Sequence, residues 1–494
     1  MSKTTSSFEL ALNRRQPHQT LTNWLYRELC SAILDGRLSA GSRLPGSRDF
    51  AAQYGISRGT VVNVFERLQA EGYISGRVGR GTRVSEGISI TVPSSTIPLC
   101  QPAYIRRATS AYERPKPFVD WVAFEGRRPF QMSDPAVLDF PSRVWGGIAA
   151  RHVRRFQSWL RAEDDGTGYR PLRKAIAQYL GLSRGVKCDA DQVVIVSGVQ
   201  QALDLLLRLL VKKGDPVWME DPGYFGALIA LKNAGAKIIP VPVDEHGLCV
   251  PVGMKLCPKA TGVFLTPGHQ YPLGMTMSLE RRIEVLQWAS KAGAFIIEDD
   301  YDSEFRFAEQ PVGALQGLDR NSNVIFVGTF NKVLFSSLRL GYIVLPPTLV
   351  DVFLSHRRQT DFHTLSLDQA VLCDFIAEGH FSRHLRRMRD LYASRLAFMI
   401  DAGREHLKGL LRISGVQAGL YTAAFLENGM TSREAEAAAA AHGVETRALD
   451  RFTLRRKDLK GLLLGFAAHD EKAIRQGLVR LAAALVVPAS IRLH

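Results

Sequence analysis

The sequence lacks the features of a membrane protein or a disulfide-stabilised fold. Only six of its 494 residues are cysteine, and no two have the C-x-x-C spacing of a zinc site or redox pair. No apolar run reaches the roughly 18 residues that a spanning helix needs, and the first ten residues, MSKTTSSFEL, contain no apolar segment typical of a signal peptide. We therefore expect a cytoplasmic protein with reduced thiols, no membrane span and no metal centre.

The chain is longer than one hydrophobic core usually serves, and its charge is unbalanced. A length of 494 residues, 46% of them hydrophobic, predicts two or three domains with a large buried core. Lysine and arginine number 63 against 48 aspartate and glutamate, which gives a formal net charge of +15. This excess favours a polyanionic partner such as double-stranded DNA, although charge alone does not identify one.

Three zones of the chain differ in composition. Residues 18–86 are arginine-rich and helix-patterned, whereas residues 87–118 contain five prolines and no regular period, which predicts a linker. Residues 119–490 alternate short apolar runs with helix-length segments. This alternation is typical of an α/β domain with a mostly parallel sheet covered by helices on both faces. Examples of the strand-like runs are 193–198, 216–221, 262–267, 294–300 and 323–329.

The amino-terminal zone has the pattern of a helix-turn-helix. Apolar residues at helical spacing predict a helix over 21–34. Ser47 is expected to cap a short helix over 48–54, and Gly55 then supplies the positive φ of a tight turn. A second helix is predicted over 58–71. Two helices joined by a short glycine turn are the layout in which the second helix enters the major groove.

Two short strand patterns, 73–75 and 82–84, follow the second helix. A glycine- and arginine-rich segment over 76–81 joins them and predicts a β-hairpin wing. Arginine can bind guanine edges or phosphate, and serine and threonine mostly bind phosphate. The residues predicted to contact DNA from the helices and the wing are Arg43, Ser47, Arg48, Ser57, Arg58, Thr60, Arg77 and Arg80.

The stretch RLPGSRDFAAQYGISRGTVVNVFERLQAEGYI resembles the winged helix-turn-helix domain of GntR-type bacterial regulators. The resemblance covers about residues 20–86. It rests on the spacing of short motifs along this stretch, namely Leu-Pro, Ser-Arg and Glu-Gly-Tyr. One departure is Gly46, where serine is usual. The resemblance implies a DNA-binding domain that is mainly α-helical.

A second constellation lies in the long carboxyl-terminal zone. Asp299 lies at the end of a buried strand pattern, Lys332 follows about thirty residues later, and Arg339 comes seven residues after Lys332. Pyridoxal phosphate needs a lysine amine for covalent attachment, a carboxylate beside the pyridine nitrogen and an anion site for its phosphate. These three residues match the three needs, and burial would favour the neutral amine that attachment requires.

Further residues of the same zone fit the phosphate and the ring. The strand pattern 193–196 leads into a Ser-Gly turn and a helix start, which presents N–H groups to an anion. Tyr224 is expected to stack on the ring, Tyr301 to hydrogen-bond its phenolic oxygen, and one polar side chain of the loop 266–274 to approach that oxygen. The predicted cofactor-binding residues are Lys332 (also the catalytic residue), Asp299, Tyr301, Tyr224, Arg339, Ser197, Gly198, Val199, Gln200, Thr329, His269 and Tyr271.

The carboxyl-terminal zone is similar to fold-type I aminotransferases from residue 168 to about residue 487. Together with the GntR-type domain, this makes nearly the whole chain resemble the MocR/GabR subfamily of regulators. The resemblance implies Lys332 as the Schiff-base lysine, Asp299 as the pyridinium partner, Tyr224 as the stacking ring and Arg339 as a phosphate ligand. The motifs that carry it are GYRPLR, SGVQQALDLLLRLL, EDPGY, EDDYDSEFR, GTFNK and LRLGYIVLP.

The subfamily resemblance also has implications for architecture. It implies a small carboxyl-terminal α+β subdomain beside the main α/β domain. It further implies a head-to-tail, domain-swapped homodimer, in which the other subunit completes each cofactor site and the DNA-binding domains lie on the swapped partner.

Two departures from the family pattern concern the effector. Aminotransferases usually bind the substrate carboxylate with an arginine near a carboxyl-terminal strand, but the run 461–466 has none. Arg447 and Arg451, which lie upstream, are candidate substitutes. The segment 226–230, which follows Tyr224, also lacks the arginine that many members of the subfamily carry there. An amino acid, an amine without the carboxylate and pyridoxal phosphate itself therefore all stay open as effector.

Three functions are open from the sequence. In the first, a transcription regulator senses pyridoxal phosphate, or an amine or amino-acid effector through an internal aldimine, and the arrangement of its DNA-binding domains changes. In the second, the chain is a working aminotransferase with an accessory DNA-binding domain. In the third, the large domain is only a dimerisation scaffold. We expect the first, with no physiological turnover.

Overall fold

A computed structural model describes most of the chain, which divides into two compact units, Met1–Glu113 and Arg114–His494. The linker predicted over 87–118 lies outside the described residues, so the domain boundaries of 18–86, 87–118 and 119–490 stay predictions. The described residues are 10–16, 19–77, 81–85, 128–132, 134–155, 165–307, 313–362 and 364–486.

The amino-terminal unit combines three helices with a small antiparallel sheet in the strand order β1-β3-β2. Its core is a single cluster in which Leu25, Leu29, Val61 and Val64 are fully buried, as the helical spacing predicts. The elements are α1 (Leu21–Leu34), β1 (Arg43–Leu44), α2 (Ser47–Tyr54), α3 (Arg58–Ala70), β2 (Ile74–Arg77) and β3 (Gly81–Val84).

Local capping explains the turn between α2 and α3. Gly55 adopts a left-handed conformation with φ 64°, which confirms the predicted turn. The Ser57 Oγ atom accepts a hydrogen bond from the Thr60 backbone N–H at 3.2 Å and so caps α3. The prediction that Ser47 caps α2 is wrong. Ser47 is the first helical residue, and Gly46 occupies the cap position without any side-chain hydrogen bond.

The carboxyl-terminal unit is built around an eight-stranded sheet. Its strands lie in the order β4-β11-β10-β9-β8-β5-β6-β7. The contiguous strands from β10 to β6 run parallel, whereas β11 is antiparallel to both of its neighbours. The strands are β4 (Val193–Val196), β5 (Pro216–Asp221), β6 (Lys237–Asp244), β7 (Gly247–Leu248), β8 (Gly262–Leu265), β9 (Phe295–Asp300), β10 (Val324–Thr329) and β11 (Gly341–Val344).

Helices cover both faces of this sheet. Alternate residues of one strand enter different hydrophobic clusters, because successive side chains of a strand point to opposite faces. Ile297 packs in the cluster that contains Leu203 and Leu206, and Ile296 packs with Val285 and Trp288. The mostly parallel α/β fold predicted from continuous apolar runs is therefore confirmed.

A smaller antiparallel sheet lies in the carboxyl-terminal third of the chain, in the order β12-β13-β15-β14. Together with its helices it forms the predicted α+β subdomain. Its strands are β12 (Leu411–Ile413), β13 (Tyr421–Leu426), β14 (Arg447–Ala448) and β15 (Gly461–Gly465).

The helices of the carboxyl-terminal unit vary from one turn to more than seven. Among the described residues, none is both long and apolar enough to cross a membrane. They are α4 (Ser142–Arg154), α5 (Arg170–Arg184), α6 (Val199–Leu210), α7 (Phe225–Asn233), α8 (Val250–Leu256), α9 (Leu279–Ala292), α10 (Leu315–Leu318), α11 (Val350–Arg357), α12 (Ser366–Ala377), α13 (His380–His406), α14 (Ser432–Ala441) and α15 (Glu471–Leu485).

Candidate cofactor and DNA-binding sites

A cavity of about 710 Å³ lies at the carboxyl ends of the parallel strands β5, β8, β9 and β10. Open α/β sheets bind ligands at this edge, where loops and helix starts converge. Nine of the twelve predicted cofactor-binding residues line the cavity, although they come from distant parts of the sequence. They are Val199, Gln200, Tyr224, Tyr271, Asp299, Tyr301, Thr329, Lys332 and Arg339.

The carboxyl group of Asp299 is the most constrained acid of the cavity. The residue is 4% exposed, and its Oδ1 atom has no hydrogen-bond partner among the described residues. Burial, followed by the nearby charges of Asp300, Asp302 and Glu220, raises the pKa of Asp299 well above its usual range. A buried carboxyl oxygen without a donor is costly, so this position is suited to a ligand that supplies an N–H.

The Lys332 amine lies in the same cavity, in the loop that follows β10. Removal from bulk water lowers the pKa of Lys332, while the carboxylates of Asp134 and Asp302 act in the opposite direction. A lowered pKa increases the fraction of neutral amine, which is the form that attacks an aldehyde. Lys332 and Asp299 thus bring a nucleophilic amine and a buried carboxyl group into one enclosed space.

A glycine turn shapes the anion-binding side of the cavity. Gly198 precedes the first turn of α6 with φ 122°, a conformation that favours glycine. A Cβ atom at this position would lie 3.3 Å from Asn331 Nδ2 and 3.9 Å from Arg339 Nη1. The start of α6 and the Arg339 guanidinium therefore face the same small region, which fits a phosphate. Ser197 lies behind this turn, where its backbone N–H donates to Gln201 Oε1 at 2.6 Å.

Aromatic side chains enclose the rest of the cavity. The Tyr224 and Tyr271 rings meet edge to face with centroids 5.5 Å apart, and the Tyr301 hydroxyl lies 2.8 Å from the Tyr421 hydroxyl. Burial raises the pKa of Tyr224 and of Tyr301 above their usual range, so both phenols remain protonated and can donate. Flat apolar walls with a few hydroxyl groups suit a substituted aromatic ring.

His269 does not line the cavity. Its side chain is 1% exposed and lies behind the cavity wall, with Nδ1 at 2.7 Å from Asp302 Oδ1 and 3.1 Å from the Tyr301 hydroxyl. The loop 266–274 instead contributes Thr266 and Tyr271 to the wall. Which polar side chain of this loop approaches a ring oxygen stays a prediction, and His269 contacts two lining residues, Tyr301 and Asp302, from behind the wall.

Several lining residues had no signal in the sequence motifs. Some of them, such as Gln131, Tyr421 and Glu445, come from segments far away in the chain, and only the fold brings them to the strand ends. Asp302 beside Tyr301, Asn331 beside Lys332 and Thr266 in the predicted loop could have been found from their neighbours in the chain. The lining residues without a sequence prediction include Gln131, Asp134, Thr266, Asp302, Asn331, Ser336, Tyr421, Glu445 and Phe452.

Arg447 and Arg451, the candidate substitutes for the missing arginine, both line the cavity. Each is held by a carboxylate. Arg451 Nε lies 2.7 Å from Glu436 Oε2, and Arg447 Nη2 lies 3.1 Å from Glu445 Oε1. The strand β15 itself contains no arginine, as the sequence indicates. The structure thus provides two oriented guanidinium groups on the side of the cavity formed by the small sheet.

Gly226 lies next to Tyr224, the residue that is expected to stack on the cofactor ring. A Cβ atom at this position would lie 2.5 Å from the Tyr224 hydroxyl and 2.4 Å from Gln200 Oε1, and Gln200 Nε2 donates to the Gly226 carbonyl at 3.0 Å. A larger residue requires a different position of the Tyr224 ring. Gly226 is therefore the residue that fits the present positions of the Tyr224 and Gln200 side chains.

The predicted DNA-binding residues of the described part lie around the helix-turn-helix and the base of the wing. Arg43, Arg48 and Arg58 are exposed. The Ser57 and Thr60 hydroxyl oxygens lie 2.8 Å apart, so the start of α3 is organised before any contact with DNA. A Cβ atom at Gly81 would lie 2.9 Å from Arg43 Nε, so the Arg43 side chain lies next to the first residue of the wing strand β3.

The wing itself is partly outside the described residues. Its strands pair from Ile74 and Val84 to Arg77 and Gly81, which confirms the predicted hairpin strands. Arg80 lies outside the described residues, and of Arg77 only the backbone is described. Their contacts with DNA stay predictions.

Comparisons with known proteins assign both units to families. The model of bacterial regulatory proteins of the gntR family matches residues 21–84. The model of aminotransferase class I and II matches residues 161–481. Each match covers one of the two sites described above.

Relatives with both units in one chain are also found. The chain is 40% identical over 466 residues to the probable rhizopine catabolism regulatory protein MocR of Rhizobium meliloti, covering 94% of this chain and 93% of MocR. It is 30% identical to the HTH-type transcriptional regulator TauR of Rhodobacter capsulatus, over 78% of this chain and 79% of TauR. It is 26% identical to the HTH-type pyridoxine biosynthesis transcriptional regulator PdxR of Corynebacterium glutamicum, over 96% and 98% of the two chains.

Solved structures resemble the carboxyl-terminal unit. The α-aminoadipate aminotransferase LysN of Thermus thermophilus, complexed with N-(5'-phosphopyridoxyl)-L-leucine, has a TM-score of 0.69 and 27% identity, covering 76% of this chain and 98% of LysN. The kynurenine aminotransferase of Pyrococcus horikoshii has a TM-score of 0.68 and 26% identity, covering 78% and 95% of the two chains. The fold-type I architecture and pyridoxal phosphate as the cofactor are thereby supported from the fold as well as from the residues of the cavity.

The chain belongs to the MocR/GabR subfamily of GntR-type transcription regulators, in which a winged helix-turn-helix is fused to a pyridoxal-phosphate-dependent domain of the aminotransferase fold.

Proposed function

We propose that the protein regulates transcription by sensing pyridoxal phosphate, or an amine or amino acid that reacts with it, in the cavity of the carboxyl-terminal unit. The observation that carries this proposal is the pairing of Lys332 with Asp299. A buried carboxyl oxygen without a donor among the described residues and a lysine with a lowered pKa share one cavity. Asp299 fits the pyridine nitrogen of a pyridoxal ring, and Lys332 fits its aldehyde.

Individual residues have separate tasks in this proposal. Lys332 Nζ is the nucleophile that holds the cofactor, and Asp299 binds the protonated pyridine nitrogen. The start of α6 at Gly198, together with Arg339, binds the phosphate. Thr329 lines the same cavity and offers a hydroxyl. When bound, the cofactor supplies an electrophilic carbon with which a primary amine can react, and this reactivity is what allows an amine to be sensed.

Asp299 also determines the charge of the bound ring. An ionised carboxylate accepts a hydrogen bond from the pyridine N–H and favours its protonated form. Once the ring donates, the cost of the unpaired Oδ1 atom is relieved. Cofactor binding therefore relieves the unfavourable burial of the Asp299 carboxyl group. The free energy that this releases can shift the protein between two conformations.

The DNA-binding side of the proposal rests on the start of α3. Ser57 and Thr60 organise the first turn, and Arg58 is exposed beside them, as expected for a helix that enters the major groove. We further propose a head-to-tail homodimer, with each cofactor site completed by the partner and the DNA-binding domains on the swapped subunit. A dimer matches the two-fold symmetry of most operators.

The names of two relatives favour different effectors. The name of PdxR connects that relative with pyridoxine biosynthesis, which favours the cofactor itself as signal. The name of MocR connects that relative with rhizopine catabolism, which favours a catabolic effector. Arg447 and Arg451 line the side of the cavity on which such an effector would lie. We propose an effector that contacts these two guanidinium groups after its amine has reached the cofactor.

A working aminotransferase is the second candidate. It is favoured by the match of residues 161–481 to aminotransferase class I and II and by the presence of the lysine, aspartate and tyrosine side chains in one cavity. Multiple turnovers of amino-group transfer with common amino acids, at the usual rates of roughly 1–1000 per second, would support this alternative. We expect a single half-reaction at most, because a sensor has to retain its ligand.

The cofactor proposal is tested by loading the purified protein with pyridoxal phosphate. We expect a visible absorption band that is absent in Lys332→Ala, and borohydride reduction that fixes a phosphopyridoxyl group on the peptide containing Lys332 in mass spectrometry. Lys187→Ala, a substitution of an exposed lysine, serves as the matched control and keeps the band. A wild-type protein that stays colourless, or label found only on other lysines, would refute the proposal.

A further inference from the structure

A row of four polar side chains runs from the cavity into the protein interior. The Tyr421 and Tyr301 hydroxyl oxygens lie 2.8 Å apart, Tyr301 lies 3.1 Å from His269 Nδ1, and His269 Nδ1 lies 2.7 Å from Asp302 Oδ1. The two tyrosines and Asp302 line the cavity, whereas His269 does not. The side chains of His269 and Asp302 are each 1% exposed, so bulk water does not compete for these contacts.

The His269 ring is held in one orientation by two glycines. Gly274 has φ 83° and Gly419 has φ 97°, values that favour glycine. A Cβ atom at Gly419 would lie 2.3 Å from His269 Cε1 and 2.8 Å from Asp302 Oδ2, and one at Gly274 would lie 3.1 Å from His269 Nε2. Backbone therefore encloses the ring on these sides, and its Nδ1 edge faces Asp302 and Tyr301.

The position of one proton follows from this geometry. A carboxylate accepts hydrogen bonds and an imidazole nitrogen can do either, so the 2.7 Å contact requires the proton on His269 Nδ1. A protonated Nδ1 cannot accept from the Tyr301 hydroxyl. The Tyr301 oxygen can instead accept a hydrogen bond from the Tyr421 hydroxyl. The hydroxyl proton of Tyr301 then points into the cavity.

We propose that His269 and Asp302 are positioning residues, which direct the hydroxyl proton of Tyr301 into the cavity and toward the phenolic oxygen of bound pyridoxal phosphate. This inference rests on the proposed function of the cavity. Without the carboxylate, His269 Nδ1 becomes available as an acceptor and the Tyr301 proton turns away from the cavity. The pair thus acts on the phenolic oxygen of the cofactor through the orientation of the Tyr301 hydroxyl.

The surroundings of Tyr301 keep its proton in place. Burial, followed by the charge of Asp302 and contacts with Tyr421, raises the pKa of Tyr301 well above its usual range, so the phenol acts as a donor. Among the described residues, the titratable and charged groups that face this row and the Lys332 amine from the surrounding elements include Asp134, Glu220, Tyr224, Tyr271, Asp299, Asp300 and Arg447.

The test is a double-mutant cycle on the full-length protein loaded with pyridoxal phosphate, with the pH midpoint of its visible band as the readout. Tyr301→Phe removes a donor to the phenolic oxygen, and we expect it to raise the midpoint by about one pH unit in the wild-type background. In an Asp302→Asn background we expect Tyr301→Phe to change the midpoint by less than about 0.3 unit. Comparing the two backgrounds cancels the direct effect of the Asp302 charge on the pH midpoint, because that effect is the same with and without Tyr301→Phe.

Variants of His269 provide the conservative rescue. His269→Asn retains an N–H near the position of Nδ1, so Tyr301→Phe should keep its shift in that background, whereas His269→Leu should abolish the shift. This second pair decides the proposal if Asp302→Asn fails to fold. An equal shift from Tyr301→Phe in every background, or no shift in the wild type, would overturn it. A wild-type protein without a visible band would instead contradict the proposed function of the cavity.

Discussion

Lys332 and Asp299 illustrate what a sequence reveals about single residues. Both follow or end apolar strand runs, and the order of aspartate, lysine and arginine along the chain matches the needs of one cofactor, so the sequence predicted them correctly as neighbours in one cavity. Tyr421 and Asp134 gave no such signal. Tyr421 is 120 positions from Tyr301, its hydrogen-bond partner, and no local pattern specifies a contact at that separation.

The residue-scale prediction concerns Asp299→Asn. The amide keeps the shape of the side chain but cannot balance a protonated pyridine nitrogen. Hydrogen bonds to charged groups contribute about 1.5–3 kcal/mol, so we expect the affinity for pyridoxal phosphate to fall roughly 10- to 150-fold. The measurement is a cofactor titration followed by visible absorption. Asp204→Asn, at a surface pair with Arg208, is the control and should leave the affinity unchanged.

The same substitution has a pH-dependent effect on the protein without cofactor. Because burial raises the pKa of Asp299 in the folded state, its stabilising contribution is present below the unfolded pKa of about 3.9 and is lost as pH rises through the folded value. We therefore expect Asp299→Asn to raise the melting temperature of the cofactor-free protein, and the gain to grow with pH from about pH 4 upward. A variant that melts below the wild type at alkaline pH would contradict this interpretation.

At the scale of elements, the sequence predicted the strands that are buried on both faces. The run 216–221 is β5 with the same bounds, because a strand covered by helices on both sides is a continuous apolar segment between turns. The antiparallel strand β11 was missed as part of the sheet, since strand direction depends on the path of the chain and not on the run itself. The prediction of Ser47 as the cap of α2 was wrong because a helix start shifts by one residue without changing the pattern around it.

The element-scale prediction concerns the turn that leads into α6. Gly198→Ala places a Cβ at a positive φ near Asn331 and Arg339, at a strain of about 1–3 kcal/mol. We expect a lower melting temperature and a roughly tenfold weaker affinity for pyridoxal phosphate, measured by thermal unfolding and cofactor titration.

Gly214→Ala is the matched control for this substitution. Gly214 has φ 92° and no atom within 4 Å of an added Cβ, so the variant carries comparable backbone strain away from the cavity. It should lower the melting temperature while the cofactor affinity stays at the wild-type value. Equal losses of affinity in both variants would mean that Gly198 matters only through stability.

At the scale of the whole molecule, we expect the two ligands to occupy separable sites. Arg58→Ala removes an exposed cation from the start of α3, and we expect affinity for the DNA upstream of the gene to fall by about 1–3 kcal/mol, or roughly 5- to 150-fold. The cofactor band should be unchanged. Arg67→Ala, on the last turn of the same helix and paired with Glu71 at 3.0 Å, should bind DNA like the wild type in fluorescence anisotropy at fixed salt.

A regulator requires more than two binding sites in one chain, because the sites must influence one another. If pyridoxal phosphate changes DNA affinity, DNA must change the affinity for pyridoxal phosphate by the same factor. Coupling free energies of this kind are typically about 1–3 kcal/mol. This reciprocity separates a sensor from an aminotransferase with an unconnected DNA-binding domain.

The most direct measurement is the affinity of the full-length protein for its upstream DNA, with and without saturating pyridoxal phosphate, in the wild type and in Lys332→Ala. We expect a change of about fivefold or more in the wild type and none in Lys332→Ala. Identical DNA affinities of the loaded and the cofactor-free wild type, in a preparation whose visible band proves that the cofactor is bound, would contradict regulation through this cavity.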